Sequence, residues 1–246
     1  MQFPPTLVIN LEDRPEKWQQ TQISFQSFPV PLERLDAVRK SPGWKGCAAS
    51  HFKAIELAKQ HGYEWVLILE DDAELSYGGY ERFMELLPLL YARRAEWDIF
   101  LGGATFVDRV RQVSITPPVY QAGAYTTHFC LIHNGAYDKI LSNYVDGPID
   151  VYYKENMRLW MTNPHIATQR PGPSDIEQGV SNYTCLFDEA SRKLWIMGLL
   201  YRYMYLLIGL FAALVVVGLL ATYTYWKKPM SLRHLRFPYI FPFLKH

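Results

Sequence analysis

The chain has 246 residues, 49% of them hydrophobic, which allows one sizeable α/β domain plus an appendage. Its 25 Lys and Arg nearly balance 24 Asp and Glu for a net charge of +1, so nothing in the bulk charge favours a nucleic-acid partner. The three cysteines, Cys47, Cys130 and Cys185, are scattered without a CxxC spacing, which argues against a disulfide framework or a structural zinc site and for buried thiols in a reducing compartment.

Residues 6–11, TLVINL, form an apolar run entered from two prolines and ended by Glu-Asp-Arg-Pro, which reads as a first buried strand and a loop. Pro15 suits a first helical turn, and residues 15–26 are expected to be helical. Residues 32–38 make a second short strand. Ala48, Phe52, Ile55, Leu57 and Ala58 then define an amphipathic helix that stops near Gly62. It feeds the strand WVLILE, whose end carries Glu70, Asp71 and Asp72. A helix over 80–94 bends or ends at Pro88, a strand covers 98–104, and 105–118 is expected to be a surface loop. A strand from 124 to 132, a turn at Asn134-Gly135 and a helix over about 136–144 follow. Residues 148–156 begin at a turn with the isolated acid Asp150, and the Pro- and Gly-rich stretch 163–179 is expected to fold over something. Strands alternating with helices indicate an α/β fold with a largely parallel sheet.

The acidic cluster stands where open α/β sheets bind ligands, at the C-terminal end of a strand. Three adjacent carboxylates repel one another unless water or a cation neutralises them, and hard cations such as Mg²⁺ or Mn²⁺ take carboxylate oxygens while leaving positions for phosphate. In extended chain, Glu70 and Asp72 fall on one face, so one ion would feel both. A solvated acidic turn is the plainer alternative. Arg14, at the first strand-to-helix junction, is placed to meet a diphosphate, an ordinary surface arginine being the equal alternative. His128 reads as structural, and His165 is a weak candidate to complete a metal sphere.

From Tyr203 to Trp226 the chain has 24 residues without a charge; at about 1.5 Å each they reach roughly 36 Å, enough to cross a hydrocarbon layer of about 30 Å. Tyr201, Tyr203 and Tyr205 flank one end, Tyr223, Tyr225 and Trp226 the other, as interfacial aromatic belts do. A transmembrane helix over 203–226 is therefore expected, with residues 1–187 as the globular domain, 188–202 approaching the membrane and 227–246 as a short basic and aromatic tail. The N-terminal residues do not read as a signal peptide, which points to a single-pass C-terminal anchor with the domain in the cytosol. The basic residues after the span point the other way, and the sequon Asn182-Tyr183-Thr184 would discriminate, because only a luminal domain could be glycosylated there.

The succession VINLEDRPEKW, KGCAASHFKAIELA, VLILEDDAEL, AYTTHFCLI, GAYDKIL, PIDVYY and QRPGPSDIE resembles glycosyltransferase family 25, the family of bacterial lipooligosaccharide and collagen hydroxylysine galactosyltransferases. The likeness runs through residues 5–180. It implies a GT-A-like, Rossmann-like fold and a UDP-sugar donor. The transfer goes to a hydroxyl of a glycan, lipid-linked or protein acceptor, with inversion, and Mn²⁺ or Mg²⁺ serves as the cofactor. By the family pattern Asp72 and Glu70 are the metal ligands; Asn10, Arg14, Gly46, Ser50, His51, Glu70 and Asp71 lie at the donor. An inverting displacement needs a general base, for which Asp150 and then Asp175, beside Ser174, are the candidates; each also suits a helix cap or turn. A membrane-anchored relative without turnover, acting as a binding or scaffold subunit, is the alternative.

Overall fold

The computed structural model describes residues 2–173 and 180–227. In chain order the elements that build the sheet and its flanking layers are β1 (Thr6–Asn10), α1 (Pro15–Ser24), β2 (Leu32–Asp36), α2 (Gly43–Gln60), β3 (Trp65–Glu70), β4 (Ala73–Leu75), α3 (Gly79–Ala92), β5 (Ile99–Leu101), β6 (Thr105–Ser114), β7 (Val119–Tyr125), β8 (Phe129–His133), α4 (Asn134–Asn143), α5 (Ile149–Asn156), β9 (Leu159–Thr162) and β10 (Ala167–Gln169). Two short strands, β11 (Gly172–Pro173) and β12 (Val180–Ser181), precede the long helix α6 (Thr184–Lys227).

Eight strands form one mixed sheet in the order β2-β1-β3-β8-β5-β9-β7-β6. β1 pairs in parallel with β2 and β3, and β5 with β9, whereas β8 and β7 pair antiparallel to their neighbours. Six strands thus point one way and two run against them. The chain leaves β1 for β2 on one side and returns by α2 to β3 on the other, which opens a crevice beyond the C-terminal ends of these three strands.

The period-2 alternation of a strand decides which side chain meets which layer. Leu7, Ile9, Val66 and Ile68 join the core beneath α2, α4 and α5, and Val8, Trp65, Leu67 and Leu69 join the one beneath α1 and α3. Carried one residue further, this parity sends Glu70 toward α2 and Asn10 toward α1. The second layer is aromatic: Phe28, Phe83 and Phe129 pack edge-on or stacked around Phe3 and Phe25.

Several expectations are corrected. The segment 105–118 is not a surface loop; Thr105 and Val107 face inward while Phe106 faces out, and the ten-residue β6 forms the sheet edge with β7. Its charged outward face hid the alternation. The single strand expected over 124–132 is two, β7 and β8, broken where Thr126 adopts φ 86°. α3 does not end at Pro88 but continues to Ala92, and residues 149–156, for which the sequence indicated only an opening turn, are helical with Pro148 as the N-cap.

The chain divides into two compact units, residues 1–198 and 199–246. In the first, the opening turns of α6 bury Phe187, Ala190 and Leu194, and Lys193 donates to the carbonyl of Val107. In the second, the described part of α6 exposes large apolar side chains, among them Leu206, Phe211, Val217 and Leu220. It is long and apolar enough to cross a membrane. The expected tail beyond Lys227 lies outside the described residues.

Candidate active site

A cleft of about 300 Å³ opens beyond β1, β2 and β3, and its lining includes Arg14, Lys17, Arg39, Lys40, Gly46, Cys47, Ser50, His51, Glu70, Asp71 and Asp72. One wall is basic and the floor is acidic, so an anion held by the wall could meet the floor only through a cation bound there.

The basic wall is the loop 37–41, held to α2 by two sequence choices. Gly46 permits backbone to approach backbone: a Cβ there would lie 2.5 Å from the Val38 carbonyl oxygen and 3.1 Å from the Lys40 nitrogen. Ser50, 1% exposed, donates its hydroxyl to the Gly46 carbonyl at 2.7 Å and accepts the Val38 N–H at 2.8 Å. Of the GC-x-x-SH element, then, Gly46 and Ser50 shape the wall from behind, and Cys47 and His51 reach the floor.

Asn10 is fully buried beneath the cleft and does not line it. Its amide donates to Asp71 Oδ2 at 2.8 Å and to the Arg14 carbonyl at 3.0 Å, while Oδ1 accepts from Arg34 Nε at 2.8 Å. It thereby fixes both the β1–α1 loop and the acidic turn. Arg170 donates to the Asp71 carbonyl at 2.6 Å, and its own N–H bonds the Asp72 carbonyl at 2.8 Å, so the segment after β10 closes the turn from outside.

The three acids differ in surroundings. Glu70, turned toward α2 by parity, meets His51 Nε2 at 3.3 Å and accepts the Thr127 hydroxyl at 2.5 Å. Burial alone would raise its carboxyl, yet His51 and Thr127 outweigh that and hold it below the usual range. Asp71 is raised, burial exceeding the help of Lys17 and Asn10. Asp72 is pushed up to about 7, first by burial and then by the charges of Glu70 and Asp71. The extended-chain premise for Glu70 and Asp72 does not hold, because β3 ends at Glu70 and Asp71–Asp72 form the turn into β4. Both acids nevertheless line one cleft.

Asp72 Oδ1 is buried with no hydrogen-bond partner among the described residues. A crowded carboxylate with an orphaned oxygen, beside a second carboxylate, fits a hard divalent cation, which would supply the missing positive charge.

Asp150 stands at the second position of α5, outside the lining of the cleft but close enough for Glu70 to act on its charge. Burial raises its carboxyl, while the Val151 N–H, donated to Oδ1 at 2.8 Å, and the nearby Thr126 backbone act to lower it. Thr126 and Thr127 are adjacent, so one turn between β7 and β8 holds Glu70 through the Thr127 hydroxyl and lies beside Asp150. Neither threonine was singled out from the sequence; their signal was a Thr-Thr pair breaking an otherwise apolar stretch. Asp175 and Ser174 lie outside the described residues.

The other histidines sit elsewhere. His128 is buried, bonds the Ala167 carbonyl at 3.1 Å and is held down at about 4 by burial. His165, also held near 4, packs edge-on against Phe187 and does not line the cleft. Burial, with the charge of Glu70 next, pushes the Cys47 thiol well above its ordinary range.

Residues 40–99 match the model of glycosyltransferase family 25 (LPS biosynthesis protein). The family resemblance is borne out over that stretch. It spans all of α2 and the acidic turn and, of the basic wall, Lys40 and Ser41, and it supports glycosyl transfer as the general activity. No curated protein matches the chain. Among solved structures, A197 from STIV is similar with 12% identity and a TM-score of 0.44 over 73% of this chain and 95% of that one. Mannose-1-phosphate geranyltransferase from Thermus thermophilus is similar with 9% identity and a TM-score of 0.35 over 63% of this chain and 58% of that one. Likenesses at this level say nothing of activity.

Proposed function

We propose that the domain transfers a hexose, galactose or glucose, from a UDP-sugar to a hydroxyl of a glycan, glycolipid or protein acceptor, with inversion at the anomeric carbon. The observation that carries this reading is the meeting, in one cleft at the parallel strand ends, of Arg14, Lys17, Arg39 and Lys40 with Glu70 and Asp72. The basic side chains would meet a diphosphate, Arg39 by leaving its bidentate pair with Asp13, and the acidic turn would hold Mn²⁺ or Mg²⁺ through Asp72 and Glu70. When bound, such an ion neutralises charge that builds on the diphosphate as the glycosidic bond breaks.

Asp150 takes the proton of the acceptor hydroxyl. Its raised carboxyl is a stronger base than an ordinary aspartate once ionised, and the Val151 N–H on Oδ1 orients it. His51 and Thr127 keep Glu70 ionised and fixed. The apolar helix over 203–226 anchors the domain to a membrane, with the domain on the cytosolic face and the acceptor within reach of the bilayer.

The test is hydrolysis or transfer of UDP-sugars by the purified chain with Mn²⁺, Mg²⁺ or EDTA. Activity that requires the metal and is lost in Asp72→Ala supports the reading, and full activity in EDTA removes the ion from it. Protease added to membrane vesicles oriented cytosolic side out should digest residues 1–190, and protection of that segment would reverse the topology.

A further inference from the structure

The acidic turn is not the only grouping of metal-ligating atoms in the cleft. Cys47 and His51 stand one turn apart on α2, the i and i+4 spacing that places two side chains on one helix face. Strand parity brings Glu70 to the same face. One ligand atom from each of the three lies within 4.8 Å of the other two. His51 is fully buried, and its Nδ1 has no hydrogen-bond partner among the described residues. All three residues line the cleft, so a cation among them keeps an open position toward solvent.

From this constellation we infer that Cys47, His51 and Glu70 form a second cation site, selective for a borderline-soft divalent ion such as Zn²⁺ or Co²⁺. The donor set is one sulfur, one imidazole nitrogen and one carboxylate oxygen, a set that suits these ions and not Mg²⁺. On binding, the Cys47 S–H bond breaks, its proton goes to solvent, and sulfur forms a bond to the metal; His51 binds as neutral imidazole and Glu70 as carboxylate. Thiolate and carboxylate together cancel the ion's two charges, so a buried site carries no net charge. Because Glu70 is drawn into this set, zinc withdraws it from the acidic turn and closes the cleft floor to the donor. The domain is therefore inhibited by zinc in competition with the hard cation.

This inference uses the proposed donor cleft but does not need transfer to occur, and its test separates the two. Co²⁺ is titrated into the purified, chelator-treated full chain, and the thiolate-to-cobalt charge-transfer band in the near ultraviolet is recorded. The site predicts a saturable band that excess Zn²⁺ abolishes, that Cys47→Ser loses and His51→Ala weakens at least tenfold in affinity, and that Asp72→Ala retains. Circular dichroism of Cys47→Ser checks its fold, and Cys47→Asp, which restores a ligand without sulfur, should bind Co²⁺ without the band. Absence of the band in the wild-type chain, or its persistence in Cys47→Ser, overturns the inference. A band retained in Asp72→Ala together with metal-independent UDP-sugar transfer would instead remove the acidic-turn ion and leave this site standing.

Discussion

Gly46→Ala should separate donor binding from folding. The added Cβ would meet the Val38 carbonyl oxygen at 2.5 Å, and an ordinary contact of about 3.4 Å requires the loop 37–41 to retreat by about 0.9 Å. The Val38 N–H to Ser50 bond, now 2.8 Å, would then stretch past the limit of a hydrogen bond, costing about 1–1.5 kcal/mol. Alanine in a helix recovers roughly 1 kcal/mol over glycine, so global stability should change by less than about 1 kcal/mol. The displaced wall carries Arg39 and Lys40, and UDP affinity should fall at least tenfold, about 1.4 kcal/mol. Gly62→Ala is the converse control. Gly62 has φ 66° with nothing within 4 Å of a built Cβ, so the substitution should cost about 1 kcal/mol of stability through backbone strain and leave UDP binding unchanged. Calorimetric titration of UDP with Mn²⁺, beside thermal melts of both variants, gives the comparison. A Gly46→Ala protein that binds UDP like the wild type would refute the assignment of the loop as the donor wall.

Asp150→Asn should lower kcat by about 10²–10⁴ with little change in donor KM, as steady-state kinetics would show; a change confined to KM would remove it as the base. Asp72 has a folded pKa raised to about 7, so its ionised form destabilises the metal-free fold, absent below about pH 4 and growing as pH rises toward 7. Metal-free Asp72→Asn should accordingly melt above the wild type at pH 8 and level with it near pH 4, and saturating Mn²⁺ should stabilise only the wild type. Asp98 shows the opposite sign. Although burial works to raise it, Arg158 and Lys139 hold this 4% exposed carboxylate at about 2. It contributes roughly 2 kcal/mol above its unfolded pKa of about 4, which is lost as pH falls through about 2. Denaturant curves of Asp98→Asn and wild type should therefore differ at pH 6 and converge toward pH 2.

What the sequence made legible follows from what each signal rests on. Buried strands announced themselves as apolar runs, and so β1, β3 and β5 were readable; the wide apolar stripe of α2 and its stop at Gly62 were equally plain. Edge strands face water on one side, and in β6 the sequence Asp108-Arg109-Val110-Arg111 masks its pairing. The turn at Thr126, with φ 86° and a hydroxyl bonded to the distant Gly103 carbonyl at 3.3 Å, depends on tertiary contact that no local pattern encodes. At the site, charge type found Arg14, Glu70, Asp71 and Asp72. It could not tell that Asn10 and Ser50 act from beneath, because burial is a property of the packed layers. Nor could spacing along the chain bring Cys47 and His51 to Glu70, since that meeting depends on α2 crossing the end of β3.

The central claim is that the acidic turn and the basic wall bind a metal–nucleotide pair together, and the direct measurement is thermal stabilisation of the purified chain by UDP-sugar with and without Mn²⁺. The account predicts a rise in melting temperature that needs both partners and disappears in Asp72→Ala. Equal stabilisation by UDP-sugar in EDTA, or by both proteins alike, would contradict it.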